Sequence, residues 1–165
     1  MLVKHFILYP MNTLELLHLY PREKDQLMLM LHAIQHNNVC NNITPDDIKQ
    51  VATYLNTTQG FVYGVVSYYS MFSLKPRGKY LIRFCKSPLC RMIGAQDLLK
   101  VLEEELQIHA GQSTPDGMFT LEYSECLGHC DKAPVLMLND KIHVDLNESA
   151  LVDMIRDIRY QEQEI

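Results

Sequence analysis

Four cysteines fall in two pairs, Cys85 with Cys90 in FCKSPLCRMIGA and Cys126 with Cys130 in SECLGHCDKAPVLML, giving C-x4-C-x35-C-x3-C. Thiolates bind zinc or iron–sulfur clusters, and four of them suffice for either. Structural zinc sites use pairs separated by about two to four residues, so the second pair fits and the first lies at the edge of the range. A [2Fe–2S] cluster has two irons, and each pair can take one. The loops would then wrap around sulfides that need backbone N–H donors. Gly128 inside the second loop and Gly94 after the first allow the main chain to come close. Spacing therefore favours the cluster, with two alternatives open. One is a zinc-stabilised structural interaction module. The other is a thiol–disulfide role, although the C-x-x-C at a strand-to-helix turn that such chemistry favours is missing.

Other reactive side chains have plainer readings. Cys40, in NNVCNNI, has no neighbouring partner and reads as an incidental free thiol. His32 and His36 share a helix face, but no carboxylate or cysteine is placed to complete a metal site. His129 lies between two cysteines. A Rieske-type centre needs two histidines in place of two cysteines on one iron, so His129 is read as a loop residue or a tuner of potential. Tyr63, Tyr68, Tyr69 and Phe72 read as core or interface rather than as an electron path. Asp131, Lys132 and Pro134 close the second cysteine loop, with partner docking as the sharper alternative. There is no G-x-G-x-x-G after a strand and no P-loop, so any nucleotide cofactor belongs to another chain.

Composition bounds the class. The 165 residues are 47% hydrophobic and carry a formal net charge of −5, with no readable basic stripe for nucleic acid. No apolar run approaches the roughly 20 residues of a membrane span, and the N-terminus lacks a secretion signal. Five cysteines, an odd number in a chain this size, argue against a disulfide scaffold and for a reducing, cytoplasmic compartment.

Two regions of different period must position the cysteines. Up to about Leu74 the chain reads as helical. DQLMLMLHAIQH suits a helix buried in a small bundle. Thr44 and Pro45 start a second helix, with Ile48, Val51, Ala52 and Leu55 on its apolar face. Thr57 or Thr58 starts a third, with Val62, Val65, Val66 and Tyr69 on one face. Gly60 and Gly64 within it point to close packing or a break. LKPRGK is the boundary, a basic linker punctuated by Pro76 and Gly78. KYLIRFC then alternates as a strand ending at Cys85, and Gly94–Leu106 is helical. MFTLEYSEC is a strand with Phe119, Leu121 and Tyr123 inward. VLML and IHV form a hairpin around NDK, and Asn147 caps a closing helix with Ala150, Leu151, Met154, Ile155 and Ile158 on its apolar face. Both cysteine pairs thus sit in loops at strand C-termini. If the strands are neighbours, four thiolates converge on one point.

CKSPLCRMIGA, TPDGMFTLEYSECLGHC and VYGVVSYYSMFSLKPRGKYLIRFC together resemble the thioredoxin-like [2Fe–2S] subunit of NADH:quinone oxidoreductase, respiratory complex I. Relatives also serve NAD-linked hydrogenases and formate dehydrogenases. The likeness runs from about Leu27 to about Ile158. It implies an α+β chain, with an N-terminal helical bundle over residues 1–75 and a thioredoxin-like α/β [2Fe–2S] ferredoxin domain over 78–165. It implies Cys85 and Cys90 as ligands of one iron, and Cys126 and Cys130 as ligands of the other. The implied role is an electron carrier of an NADH dehydrogenase-type complex, without a catalytic site of its own. FMN and NAD(H) would lie on a partner flavoprotein, beside further iron–sulfur subunits. The KSPL loop and His129 depart from the usual family residues without removing a ligand, and bear on the reduction potential.

Overall fold

Helix starts in the first part of the chain are set by side chains that accept from exposed backbone N–H groups. The computed structural model describes residues 11–163, which divide into two compact units between Arg77 and Gly78. The first unit contains α1 (Thr13–Leu17), α2 (Leu27–Asn37), α3 (Pro45–Tyr54) and α4 (Gln59–Tyr68). Asn12, Thr44 and Thr58 cap α1, α3 and α4. Thr44 and Asp47 form a reciprocal capping box. The Asp47 carboxylate also accepts from Thr13 Oγ1 at 2.6 Å and from Asn38 Nδ2 at 2.9 Å, so one side chain fastens three helices. Asp47 is only 4% exposed. Burial alone would raise its pKa, but the hydrogen bonds from Thr13, Thr44 and Asn38 outweigh it and hold the carboxyl below the usual range.

Leu17, Met30, Leu31, Ile34, Ile43, Val51 and Val62 form the core of this unit. Helix α4 differs from its sequence reading. It runs unbroken through Gly60 and Gly64, and a Cβ at either would meet nothing within 4 Å. The helix buries only the Val62 and Val66 stripe, so Tyr63, Tyr68 and Tyr69 are exposed, while Phe72 is buried. Arg77, read as part of a basic linker, is buried and donates to the carbonyls of Met71 and Ser70.

The second unit contains β1 (Tyr80–Cys85), α5 (Pro88–Met92), α6 (Ala95–Leu106), β2 (Gln112–Ser113), β3 (Phe119–Ser124), β4 (Leu136–Leu138), β5 (Lys141–His143) and α7 (Glu148–Gln163). The sheet order is β2-β3-β1-β4-β5, with β1 and β3 parallel and the other pairs antiparallel. Ile82, Phe84, Phe119, Leu121 and Leu136 pack with Leu98 and Leu102 of α6 and with Leu151 and Ile155 of α7. On the other sheet face Arg83 pairs with Glu122 at 3.7 Å. Asn139 bears the left-handed backbone of the β4–β5 turn, and Asn147 caps α7. Ala150 is exposed and Met154 half-buried, so the apolar stripe of α7 is narrower than its sequence pattern.

Tyr123 departs from the strand alternation and is 51% exposed. There the core face opens into a cleft of about 200 Å³ lined by Phe84, Cys85, Arg91, Gln96 and Tyr123. The elements without a sequence signal are α1, α5 and β2, at five, five and two residues too short to show a period. Among the described residues no helix is long and apolar enough to cross a membrane.

Gly78 opens the second unit where nothing larger fits. Its N–H donates to the buried Thr120 Oγ1 at 2.6 Å, and a Cβ would lie 2.7 Å from the Phe119 carbonyl carbon. Gly78→Ala should therefore lower the stability of this unit by about 2 kcal/mol, read as a lower urea midpoint. Asp47→Ala should cost the first unit about 2 kcal/mol at pH 7. The folded pKa of Asp47 lies below its unfolded value of about 3.9, so its contribution is present above that pH and lost as pH falls through the folded value. Urea midpoints followed by far-UV circular dichroism should differ between wild type and Asp47→Ala at pH 7, and the gap should shrink at acid pH.

Candidate metal centre

Parallel pairing of β1 with β3 brings Cys85 into register with Ser124, so the chain leaves both strands at the same sheet edge. The neighbour condition of the sequence reading is met. Cys85 is the last residue of β1. Cys90 is not in an open loop: Pro88 at the first helical position starts α5, and Cys90 is its third residue. Cys85 and Cys90 are buried, at 2% and 1% exposure. Cys126 follows β3 in an exposed loop, and the half-buried Cys130 opens a short 3₁₀ turn, Cys130–Lys132.

Each pair is held by its own contacts. Cys126 Sγ lies 3.2 Å from Cys130 Sγ and accepts from the Gly128 N–H at 3.4 Å. Gly128 has φ +82°, a left-handed backbone that a side chain would strain. Cys85 Sγ lies 3.4 Å from Ser87 Oγ. Burial pushes the Cys85 thiol up, but hydrogen bonds from the Ser87 hydroxyl and N–H, from Cys90 and from the Leu127 N–H bring it below the usual thiol value. Burial raises Cys90, reinforced by Cys85. Cys130 is raised by its bond to Cys126, then by burial and by the charges of Cys126, Cys90 and Cys85.

The four cysteines thus lie at one end of the β1–β3 ladder as two pairs. Among the described residues no three His, Cys, Asp or Glu side chains gather around a single ion position. All five cysteines are free thiols. An exposed ion pair at 2.8 Å, Lys86 with Glu125, joins the residues that directly follow Cys85 and Ser124.

The remaining candidates lie elsewhere or serve the loop. Cys40 is exposed in the helical unit. His36 Nδ1 meets the His32 carbonyl at 2.9 Å, and the His32 ring packs on Phe72 at 4.9 Å between centroids. His129 is exposed, with Nδ1 3.1 Å from the Leu127 carbonyl. The Lys132 N–H donates to the His129 carbonyl, and the Lys132 and Pro134 carbonyls accept from Asp145 and Leu146, so this segment shapes the loop. Sequence reasoning did not single out Ser124 or the Leu127 N–H. The former carried a faint signal, a small hydroxyl residue two positions before the first cysteine of the second pair.

The sequence profile of the thioredoxin-like [2Fe–2S] ferredoxin family matches residues 13–159. An NADH-quinone oxidoreductase subunit of Aquifex aeolicus is 40% identical over 134 residues, which are 78% of this chain and 82% of that protein. The HndA subunit of the NADP-reducing hydrogenase of Solidesulfovibrio fructosivorans is 34% identical over 124 residues, 74% of this chain and 71% of that one. Among solved structures, a chain of an air-oxidised NAD+-reducing [NiFe]-hydrogenase aligns with a TM-score of 0.75 at 22% identity. That alignment covers 85% of this chain and 24% of the hydrogenase chain, a likeness of fold. With the mixed sheet and the two cysteine pairs at the β1–β3 edge, the matched profile leads to one conclusion: this chain belongs to the thioredoxin-like [2Fe–2S] ferredoxin family.

Proposed function

We propose that this chain is an electron-transfer subunit carrying one [2Fe–2S] cluster, with Cys85 and Cys90 on one iron and Cys126 and Cys130 on the other. The observation that carries this reading is the arrangement of four free thiols as two pairs on the shared edge of β1 and β3. Two irons with two thiolates each ask for such a division, and the donor set is the one these clusters use. Such a cluster supplies one-electron oxidation and reduction. The chain's own residues do the rest. Buried Cys85 and Cys90 keep water from one side of the site. The Ser87 hydroxyl beside Cys85 and the Gly128 N–H on Cys126 offer hydrogen bonds to sulfur, which raise the potential of such centres. Exposed Cys126 leaves the other side open to a partner.

The complex is an NAD(P)H-linked oxidoreductase of several subunits: complex I, a soluble or bifurcating hydrogenase, or a formate dehydrogenase. Relatives named as subunits of an NADH-quinone oxidoreductase and an NADP-reducing hydrogenase support this. In this reading FMN and NAD(H) lie on a partner flavoprotein, which exchanges electrons with this chain, and catalysis lies there too. The complex works in the cytoplasm or on the cytoplasmic face of a membrane assembly. Residues 1–75 act as a helical-bundle domain and 78–165 as the cluster-bearing domain.

Anaerobically purified protein should contain about two irons per chain and give an EPR signal of one unpaired electron after dithionite. Stoichiometric zinc without a reducible chromophore would overturn the reading in favour of a structural module. Cys126→Ser should lose most of the cluster absorption while far-UV circular dichroism keeps the helical signal of the first unit. A full cluster spectrum in that variant would remove Cys126 from the ligand set.

A further inference from the structure

Ser124 holds a hydroxyl that the folded chain leaves without a partner. Its Oγ is buried and makes no hydrogen bond, one of three such side-chain atoms among the described residues. Gln50 and His143 hold the other two. Ser124 alone is at the metal centre: it ends β3, two residues before Cys126, and is the register partner of Cys85. Directly paired residues on neighbouring strands point to the same sheet face, about 5 Å apart. Arg83 and Glu122, two residues back on the same two strands, show that geometry by pairing on this face. The Ser124 hydroxyl therefore stands beside the Cys85 side chain and turns by a single χ1 rotation.

A buried donor without an acceptor costs free energy, and strand ends can usually take an apolar residue instead. The backbone groups of the paired strand ends are already spent in hydrogen bonds. The Ser124 carbonyl accepts from the Lys86 N–H at 3.0 Å, and the Cys85 N–H is taken by the Val135 carbonyl at 3.2 Å. The neighbouring carboxylates, Glu122 and Glu125, are paired with Arg83 and Lys86 and do not meet the Ser124 hydroxyl, which still lacks an acceptor. The loaded centre would bring one, as metal-bound thiolate or as inorganic sulfide, both of which accept hydrogen bonds from hydroxyls.

We infer that Ser124 is a built-in hydrogen-bond donor to a sulfur of the loaded centre on the Cys85 side, and that it raises the reduction potential of that centre. The inference rests on the [2Fe–2S] reading above. Reduction adds negative charge to the sulfurs, so a donor stabilises the reduced state more than the oxidised one. Ser124 joins Ser87, whose hydroxyl already reaches Cys85 Sγ at 3.4 Å. One hydroxyl belongs to the loop that follows Cys85 and the other to the strand paired with it.

The test compares wild type, Ser124→Ala, Ser124→Thr and Ser124→Val as full chains, with iron content determined on each. Threonine and valine have the same shape and differ in the hydroxyl, so this pair isolates the donor if alanine disturbs folding. EPR-monitored redox titration should give Ser124→Ala and Ser124→Val midpoints more negative than wild type by a factor of about ten in the oxidised-to-reduced ratio, or about 59 mV for one electron. Ser124→Thr should stay near wild type. Without metal, Ser124→Ala should melt no lower than wild type, because no hydrogen bond is lost. Resonance Raman identifies the acceptor: a shift in the terminal iron–thiolate modes points to Cys85, and one in the bridging modes to sulfide. Equal midpoints for the threonine and valine variants, each holding two irons, would overturn the inference. Wild type that binds no iron would instead bring down the cluster reading itself, and metal analysis distinguishes the two failures.

Discussion

The centre depends on one parallel strand pair. Six consecutive residues of β1 run in register with six of β3, and the last step of that ladder sets Cys85 beside Ser124. Parallel strands need a crossover, which here is supplied by α5 and α6. Because both strands point the same way, both cysteine loops emerge at the same edge. An antiparallel pair would have sent them to opposite ends of the sheet.

The two pairs occupy different environments although their chemistry is the same. Cys85 and Cys90 are enclosed by the end of the core and by the short helix that Pro88 starts. Cys126 and Cys130 are carried by a loop whose shape depends on a left-handed glycine and on hydrogen bonds to the segment after β5. The first pair is therefore fixed by packing and the second by backbone hydrogen bonding. The Lys86–Glu125 ion pair joins the residues that begin the two cysteine loops.

Much of this was legible because the signals were local. Thr44, Pro45 and Asp47 specify the start of α3 by side-chain chemistry within four residues, and Ile82 and Phe84 announce a strand by period. The pairing of thiols followed from spacing. What escaped needed information from elsewhere in the chain. Tyr123 follows the inward alternation, yet the core layer ends before it, and no pattern within β3 tells where the covering helices stop. Gly60 and Gly64 look like packing glycines, but open space lies beside both. Arg77 reads as linker charge because its acceptors are carbonyls, which sequence does not display. Ser124 was overlooked because its importance comes from its cross-strand neighbour.

The long interval between the cysteine pairs follows from the same ladder. Thirty-five residues separate Cys90 from Cys126 in the chain, while their strands are immediate neighbours in the sheet. That interval measures a crossover and a turn, not the distance between ligands. Extra residues at the Thr114–Gly117 turn would lengthen the path and leave the ladder aligned, at a small entropic penalty. One extra residue inside β3 would exchange its two faces, turning the Ser124 side chain toward the helices and Tyr123 toward Cys85. Among homologous chains, then, the count between the pairs is free to drift, whereas the parity of positions along β3 is not.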